Sequence, residues 1–463
     1  MRPAFHQERT WRLAKGCILA AIVCLGRRTI TGLICTQGDQ YRDWTRVYRL
    51  FEMGRFNIEL LFAPIRKTLC RKLPPDMPIV AALDDTVVRK RGRKIAGTAW
   101  RRDPLGPHFC TNFIWAQRFV QLSLMAPSAG LVSAARAVPV DVTHAPSPKR
   151  PGKNATEAEW AMYRSFQADM RISKIGAERI ANLRAKLNAD DATKDRILVA
   201  TVDGGYTNQT VFRNIPAGTT IVGRIRKDAC LYAVPERRGE RRGRNRYYGD
   251  PLPSPEAARQ DASIPWQSVT AFAAGKKWSF EVKVVTPVRW KGAGNRDLQI
   301  VIVRPIAFRL RQKGPMQYRN PGYLVCTDVD LPVQTLLQAY IWRWEIELNF
   351  HDEKSIMGMG QAQVRTPTAV PASVAFAAAS HAILNTAAVT LGIGDSGFPL
   401  PAWRNAADTP RCSTNQLIGR TRTELWAKAI GLNLSGFDKQ TDLRRSIQNA
   451  PGNLASAIIY ATG

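Results

Sequence analysis

The 463 residues, 45% apolar and 22% charged, have the balance of a soluble globular protein with room for roughly two to four domains. Against 37 Asp and Glu stand 67 Lys and Arg, a net charge of +30 and a pI near 10.3; such an excess points to a polyanionic partner, and with no basic amphipathic anchor present nucleic acid ranks above a membrane surface. Eight cysteines are scattered without a CxxC pair or a Cys/His cluster, so neither a zinc site nor a disulfide framework is supported, and a reducing cytoplasm fits best.

Residues 1–73 read as short helices at about 10–25, 29–36, 40–52 and 56–72. Within them GRRTITGLICTQG (26–38) is a turn and short helix with arginines at its entrance, compatible with a helix-turn-helix-like DNA-binding unit. The run CILAAIVCL (17–25) behind Arg12 and Lys15 has the outline of a signal peptide. It is too short to span a bilayer, Glu8 interrupts the basic region, and Arg27 and Arg28 follow without a small-residue cleavage site, so a buried helix is expected.

PIVAALDDTVV (78–88) is a continuous apolar run, as in a strand covered on both faces, and it ends in Asp84 and Asp85. The carboxyl end of such a strand is where an α/β sheet exposes functional groups. Adjacent strand residues point to opposite faces, so one aspartate of the pair is the candidate, and the strand's chemistry does not say which. Next, VVRKRGRKIAGTAWRR (87–102) holds seven Lys and Arg and reads as a hairpin with a positive tip, Arg89, Lys90 and Arg91 being placed to touch a phosphate backbone. FVQLSLM (119–125) is a further strand, and 127–155, with five prolines, a loop.

Thr156 and Glu159 form a capping box opening helical sequence to about 188, with a break near Gly176. The strand RILVATVDGGY ends at Asp203, again an acid at the carboxyl end of a buried strand, although Asp-Gly is equally a common turn. A short helix near 207–213 and a strand at 219–226 follow, then a hundred residues with strand-like segments at 267–273, 278–286, 298–309 and 321–328. The arm PERRGERRGRNR (235–246) carries six arginines among glycines.

LPVQTLLQAYIWRWEIELNFHDEKSIMG (331–358) has Pro332 in the first turn and no further proline or glycine before Gly358, so one helix is predicted. At 100° per residue Tyr340, Arg343, Glu347 and Lys354 fall within about 60° of one another. A carboxylate, two cations and a phenol on one stripe can hold a divalent metal and grip a phosphate; an exposed ion pair would leave the same pattern. Beyond it, 369–392 is rich in small apolar residues, as for a helix packed closely on a sheet, with His381 more at home in the core than as a ligand, and GIGDSG (392–397) lacks the strand-turn-helix context of a dinucleotide site.

The spacing Y-x2-R-x3-E-x6-K resembles without a gap the signature of bacterial insertion-sequence DDE transposases, whose catalytic domain is ribonuclease H-like. The resemblance covers about residues 74–390 and implies an α/β fold: a ribonuclease H-like mixed-sheet core (74–226 and 331–392) interrupted by a mostly β insertion domain (227–330), preceded by a helical DNA-binding domain (1–73) and followed by a helical C-terminal region (393–463). It implies that Asp85, Asp203 and Glu347 are the metal-binding catalytic acids, the family's Asp-Thr pair selecting Asp85 with Asp84 as runner-up. Tyr340, Arg343 and Lys354 are then phosphate-contacting companions.

Such acids would hold two Mg2+ about 4 Å apart, replaceable by Mn2+, for cleavage at the element's ends and strand transfer into target DNA. Double-stranded DNA as partner, a homodimer on it, no membrane, and a cytoplasmic, nucleoid-associated location are the corresponding expectations. A DNA-binding regulator that has lost catalysis, or a stand-alone nuclease, is the alternative.

Overall fold

The computed structural model describes residues 1–103, 106–107, 109–235, 246–311, 314–392 and 412–426. Most of the arginine-rich arm, the GIGDSG segment after Gly392 and most of the C-terminal region lie outside the described residues.

Four helices open the chain: α1 (Glu8–Val23), α2 (Ile30–Gln37), α3 (Thr45–Glu52) and α4 (Ile58–Lys72). Thr29 caps α2, its hydroxyl accepting from the Gly32 amide at 3.0 Å, and Asn57 caps α4 through the Leu60 amide at 3.2 Å. The apolar run at 17–25 is part of α1 and the residues after it, and apart from Leu19 and Leu25 it is buried in the core. Arg28 is buried as well, its guanidinium donating to the Ala21 carbonyl at 2.6 Å at the end of α1, so one of the two arginines at the entrance to α2 caps a helix.

The sheet begins with β1 (Ile79–Arg89), β2 (Ala99–Arg102), β3 (Phe113–Pro127) and β4 (Ala135–His144), continues through α5 (Glu157–Asp169) and α6 (Ile172–Asn188) to β5 (Leu198–Val202), and then α7 (Gln209–Arg213) and β6 (Thr219–Arg224). β1 pairs antiparallel with β3, β3 with β4, and β1, β5 and β6 run parallel, giving the order β4-β3-β1-β5-β6. A mixed sheet of this order with helices packed on it fits a ribonuclease H-like domain. β5 is buried at all five positions, the reason its sequence is apolar without alternation.

Several local expectations change. β2 pairs with β3 and not with β1, so 87–102 is two strands flanking a third, not a hairpin. The proline-rich stretch 127–155 contains β4, which tolerates Pro139 because the register shifts there, opposite Ser123. The break after the capping box falls at Met170 and Arg171, and Gly176 lies inside α6.

Residues 227–330 form β7 (Leu231–Tyr232), β8 (Pro251–Leu252), α8 (Pro255–Gln260), β9 (Gln267–Ala273), β10 (Lys276–Trp290), β11 (Leu298–Val303), β12 (Ala307–Phe308), β13 (Gln317–Tyr318) and β14 (Gly322–Cys326). They are β-rich, yet β14 pairs with β6, β11 with β14 and β10 with β11, so they extend the core sheet to twelve strands. Pairing of β6 with β14 satisfies backbone groups that a sheet edge would leave open.

The remaining helices are α9 (Val333–Trp342), α10 (Glu345–Ser355), α11 (Ala369–Thr390) and α12 (Thr414–Trp426). The single helix expected over 331–358 is thus two. Arg343 and Trp344 keep right-handed helical angles, but their amides bond three residues back, to Tyr340 at 3.2 Å and Ile341 at 3.3 Å, a tightened turn that needs no proline or glycine. α11 is long and apolar enough to cross a membrane by composition, and 72% of that window is buried inside the fold, against α1, α4 and β4, as a core helix is.

Candidate active site

β1 and β5 lie side by side with Leu83 opposite Val202. Val80 and Ala82 of β1 and Val199 of β5 pack with Leu336, Trp342 and Ile346 of α9 and α10. Ile79, Ala81 and Leu83 turn the other way, with Leu198, Ala200 and Val202. Strand alternation carried one step further places Asp84 and Asp203 together on the face covered by α9 and α10, and Asp85 on the opposite face.

The contacts agree with that alternation. Arg343, at the tightened turn between α9 and α10, places one terminal nitrogen 3.3 Å from Asp84 and the other 3.0 Å from Glu347. Burial, followed by the charge of Asp203, pushes the Asp84 carboxyl up to about 7, although the Asp85 amide donates to it at 2.8 Å and Arg343 favours its ionised form. Asp203 closes a turn by accepting from the Gly205 and Tyr206 amides at 2.9 and 3.2 Å.

Asp85 has other partners. Arg118 of β3 lies 3.2 Å from it, and the buried Tyr206 hydroxyl donates to it at 3.3 Å. Burial raises its carboxyl, with Arg118 acting in the opposite direction. Tyr206 fits because Gly176 of α6 has no side chain: a Cβ there would stand 2.7 Å from the ring and 2.8 Å from Leu83.

Of the remaining expected site residues, Tyr340 lies under the Arg343 guanidinium, 5.6 Å from ring centre to carbon, with burial raising its phenol. Lys354 is on α10 but beyond the turn; burial lowers its amine, and it senses Glu353, Arg89 and Asp85. Arg89 pairs with Asp103 at 2.6 Å, Lys90 donates to the Gly360 and Ala362 carbonyls at 2.7 and 3.3 Å, and Arg91 is exposed. Lys90 is therefore a brace between β1 and the segment after α10, with its donors directed at protein.

Arg118, Tyr206 and the wholly buried Glu353 escaped sequence reasoning. Glu353 of α10 accepts from Gln121 of β3 at 3.2 Å and lies 3.5 Å from His381 of α11. The one signal was polar residues, Gln117, Arg118, Gln121 and Ser123, inside an otherwise apolar strand.

The carboxylates of Asp84, Asp203 and Glu347 are hard oxygen donors of the kind that take Mg2+ or Mn2+. Among the described residues no three His, Cys, Asp or Glu side chains stand as a ready cage, and Arg343 engages two of the three acids. The fit lies in the donor chemistry and in the electrostatics: Asp84 is held beside Asp203 against like-charge repulsion, which a divalent cation would relieve.

Residues 1–293 match the family profile of the DDE superfamily endonucleases, a span that takes in Asp84, Asp85 and Asp203 and stops short of α10. No curated protein matches the chain. With 293 of 463 residues in the match and a mixed sheet presenting acids at the carboxyl ends of its parallel strands, the chain belongs to the DDE superfamily of endonucleases.

Proposed function

We propose that this endonuclease-family protein is a DNA transposase that cleaves the ends of an insertion sequence and joins them to target DNA. The observation that carries the reading is the shared face of Asp84 and Asp203, with Glu347 brought to it from α10 by Arg343.

Asp84, Asp203 and Glu347 are the proposed metal-holding acids. Asp84 replaces Asp85, the choice implied by the family pattern, because Asp85 faces away and is engaged by Arg118 and Tyr206. Two Mg2+ held there, or Mn2+ in their place, would stabilise charge on the attacking and leaving oxygens of a phosphodiester. Arg343 offers a planar set of donors to the scissile phosphate next to those acids, Tyr340 orients the guanidinium from beneath, and Lys354, farther along α10 and on the Asp85 side, adds positive charge for the flanking backbone. Asp85 holds Arg118 and Tyr206 under the end of β1, fixing the strand from which Asp84 projects. A homodimer on DNA belongs to the same proposal.

The test incubates purified protein and Mg2+ with a DNA fragment carrying the inverted repeats that flank the gene, together with a target plasmid. Joined products are expected. Cutting without joining would instead support a stand-alone nuclease, and binding without cutting a DNA-binding regulator.

A further inference from the structure

The strand that pairs with β1 runs on past the acids. Asp84 stands opposite Gln121 of β3, so Gln117, Trp115 and Phe113, two residues apart in turn, lie on the face that carries Asp84. β2 pairs with β3 through Trp100 opposite Trp115 and Arg102 opposite Phe113, which adds Trp100 and Arg102 to that face. At about 3.4 Å per residue, Trp115 is about 20 Å along β3 from the level of Asp84. That is the length of about six nucleotides of stacked DNA.

The outer end of this face is aromatic, exposed and ringed by cations. Trp100 is 66% exposed and Phe113 56%, and Trp100 meets Trp115 edge to face at 5.6 Å. Loop 91–98 lies along the same face, its Gly92 carbonyl accepting from the Trp115 indole at 3.1 Å and its Ala96 carbonyl from Gln117 at 2.7 Å. The loop exposes Arg91, Arg93 and Lys94. Lys90 and the 3.0 Å hydrogen bond from the Ala96 amide to the Arg365 carbonyl fasten it to the segment after α10, so rings, cations and acids are held in one frame.

Flat rings interleaved with cations are how proteins hold single-stranded nucleic acid, because an unpaired base offers its face and a stacked duplex hides it. We infer that the outer end of β2 and β3 is a stacking platform for unpaired DNA bases about six nucleotides from the phosphate at the acids, with the loop cations on the backbone. The inference rests on the reading of those acids as a DNA-cleaving site and adds that the bound DNA is strand-separated on one side of the cut.

The test measures binding by fluorescence anisotropy in metal-free buffer, comparing a duplex that ends in an unpaired tail of eight nucleotides with a fully paired duplex of the same total length. At ~5-fold or more per stacked ring, Trp100→Ala with Phe113→Ala is expected to weaken binding of the tailed DNA about 30-fold, and binding of the paired duplex less than about 3-fold. Trp100→Phe should regain most of the loss at that position. Both rings are exposed, so an unchanged melting temperature is expected of every variant and is checked first. Equal loss on both DNAs, or none on the tailed one, overturns the platform. So does loss of a dimer in light scattering with DNA binding intact, which would make the rings a contact between copies of the chain. Tailed DNA bound through the rings, together with end-bearing DNA that the wild type never cuts in Mg2+, supports the platform and sinks the transposase reading alone.

Discussion

Arg343 pairs with Asp84 across 259 residues of sequence, joining the turn between α9 and α10 to the end of β1, and its other terminal nitrogen takes up Glu347. The guanidinium thus supplies positive charge where the proposed metal ions would also sit. Arg343→Ala leaves two carboxylates without their cation, and a loss of about 3 kcal/mol is expected in chemical denaturation without metal. Added Mg2+ should restore more stability to the variant than to the wild type. An equal response in both would show that Arg343 and the ion do not share a place.

The Asp84 carboxyl, pushed up to about 7, makes stability depend on pH with a definite sign. A folded-state pKa above the unfolded one means that the contribution is full below about pH 4 and is lost as pH rises through about 7. Asp84→Asn should therefore stabilise the metal-free protein at pH 8, by as much as about 4 kcal/mol, and leave it unchanged near pH 4. Urea denaturation at the two pH values reads this directly, and a variant less stable at pH 8 would contradict it. Divalent-ion binding should strengthen over the same range, as the carboxyl loses its proton.

Gly176 is small because Tyr206 needs the space. Gly176→Ala would put a methyl group 2.7 Å from that ring. A cost of about 1–3 kcal/mol is expected, together with slower cleavage as the hydrogen bond from Tyr206 to Asp85 is disturbed. Thermal melting and cleavage assays would show both, and Tyr206→Phe should reproduce the second effect with little of the first.

Glu353 is wholly buried between Gln121 and His381. Burial raises its carboxyl, and His381 acts against that shift. His381→Ala strands the carboxyl, at an expected cost of about 3–5 kcal/mol if it stays charged and less if it takes a proton. Urea denaturation of the variant beside the wild type reads this loss, and an unchanged midpoint would contradict it.

Much of this was legible in the residues. β5 announces itself because a strand buried on both faces is uninterruptedly apolar, and Thr156 with Glu159 builds the capping box that its spacing predicts. What was hidden depends on tertiary partners. Whether Asp84 or Asp85 faces the helices is a matter of strand alternation relative to α10, which no local pattern encodes. The turn at Arg343 retains helical angles and so carries no breaker residue. β4 was obscured by Pro139, which a register shift accommodates, and the extension of the sheet by β14 follows from an edge on β6 that local sequence does not reveal.

The assignment of Asp84 over Asp85 is tested most directly by assaying Mg2+-dependent cleavage of end-bearing DNA by Asp84→Asn and Asp85→Asn side by side, with DNA binding measured for each. Loss of a metal-holding acid should slow cleavage on the order of 10³-fold with binding retained, so that is the result expected of Asp84→Asn. Asp85→Asn, acting through Arg118 and Tyr206, should fall within about 10–100-fold. The reverse order, with Asp84→Asn cutting near the wild-type rate while Asp85→Asn is inert, would contradict the site as drawn.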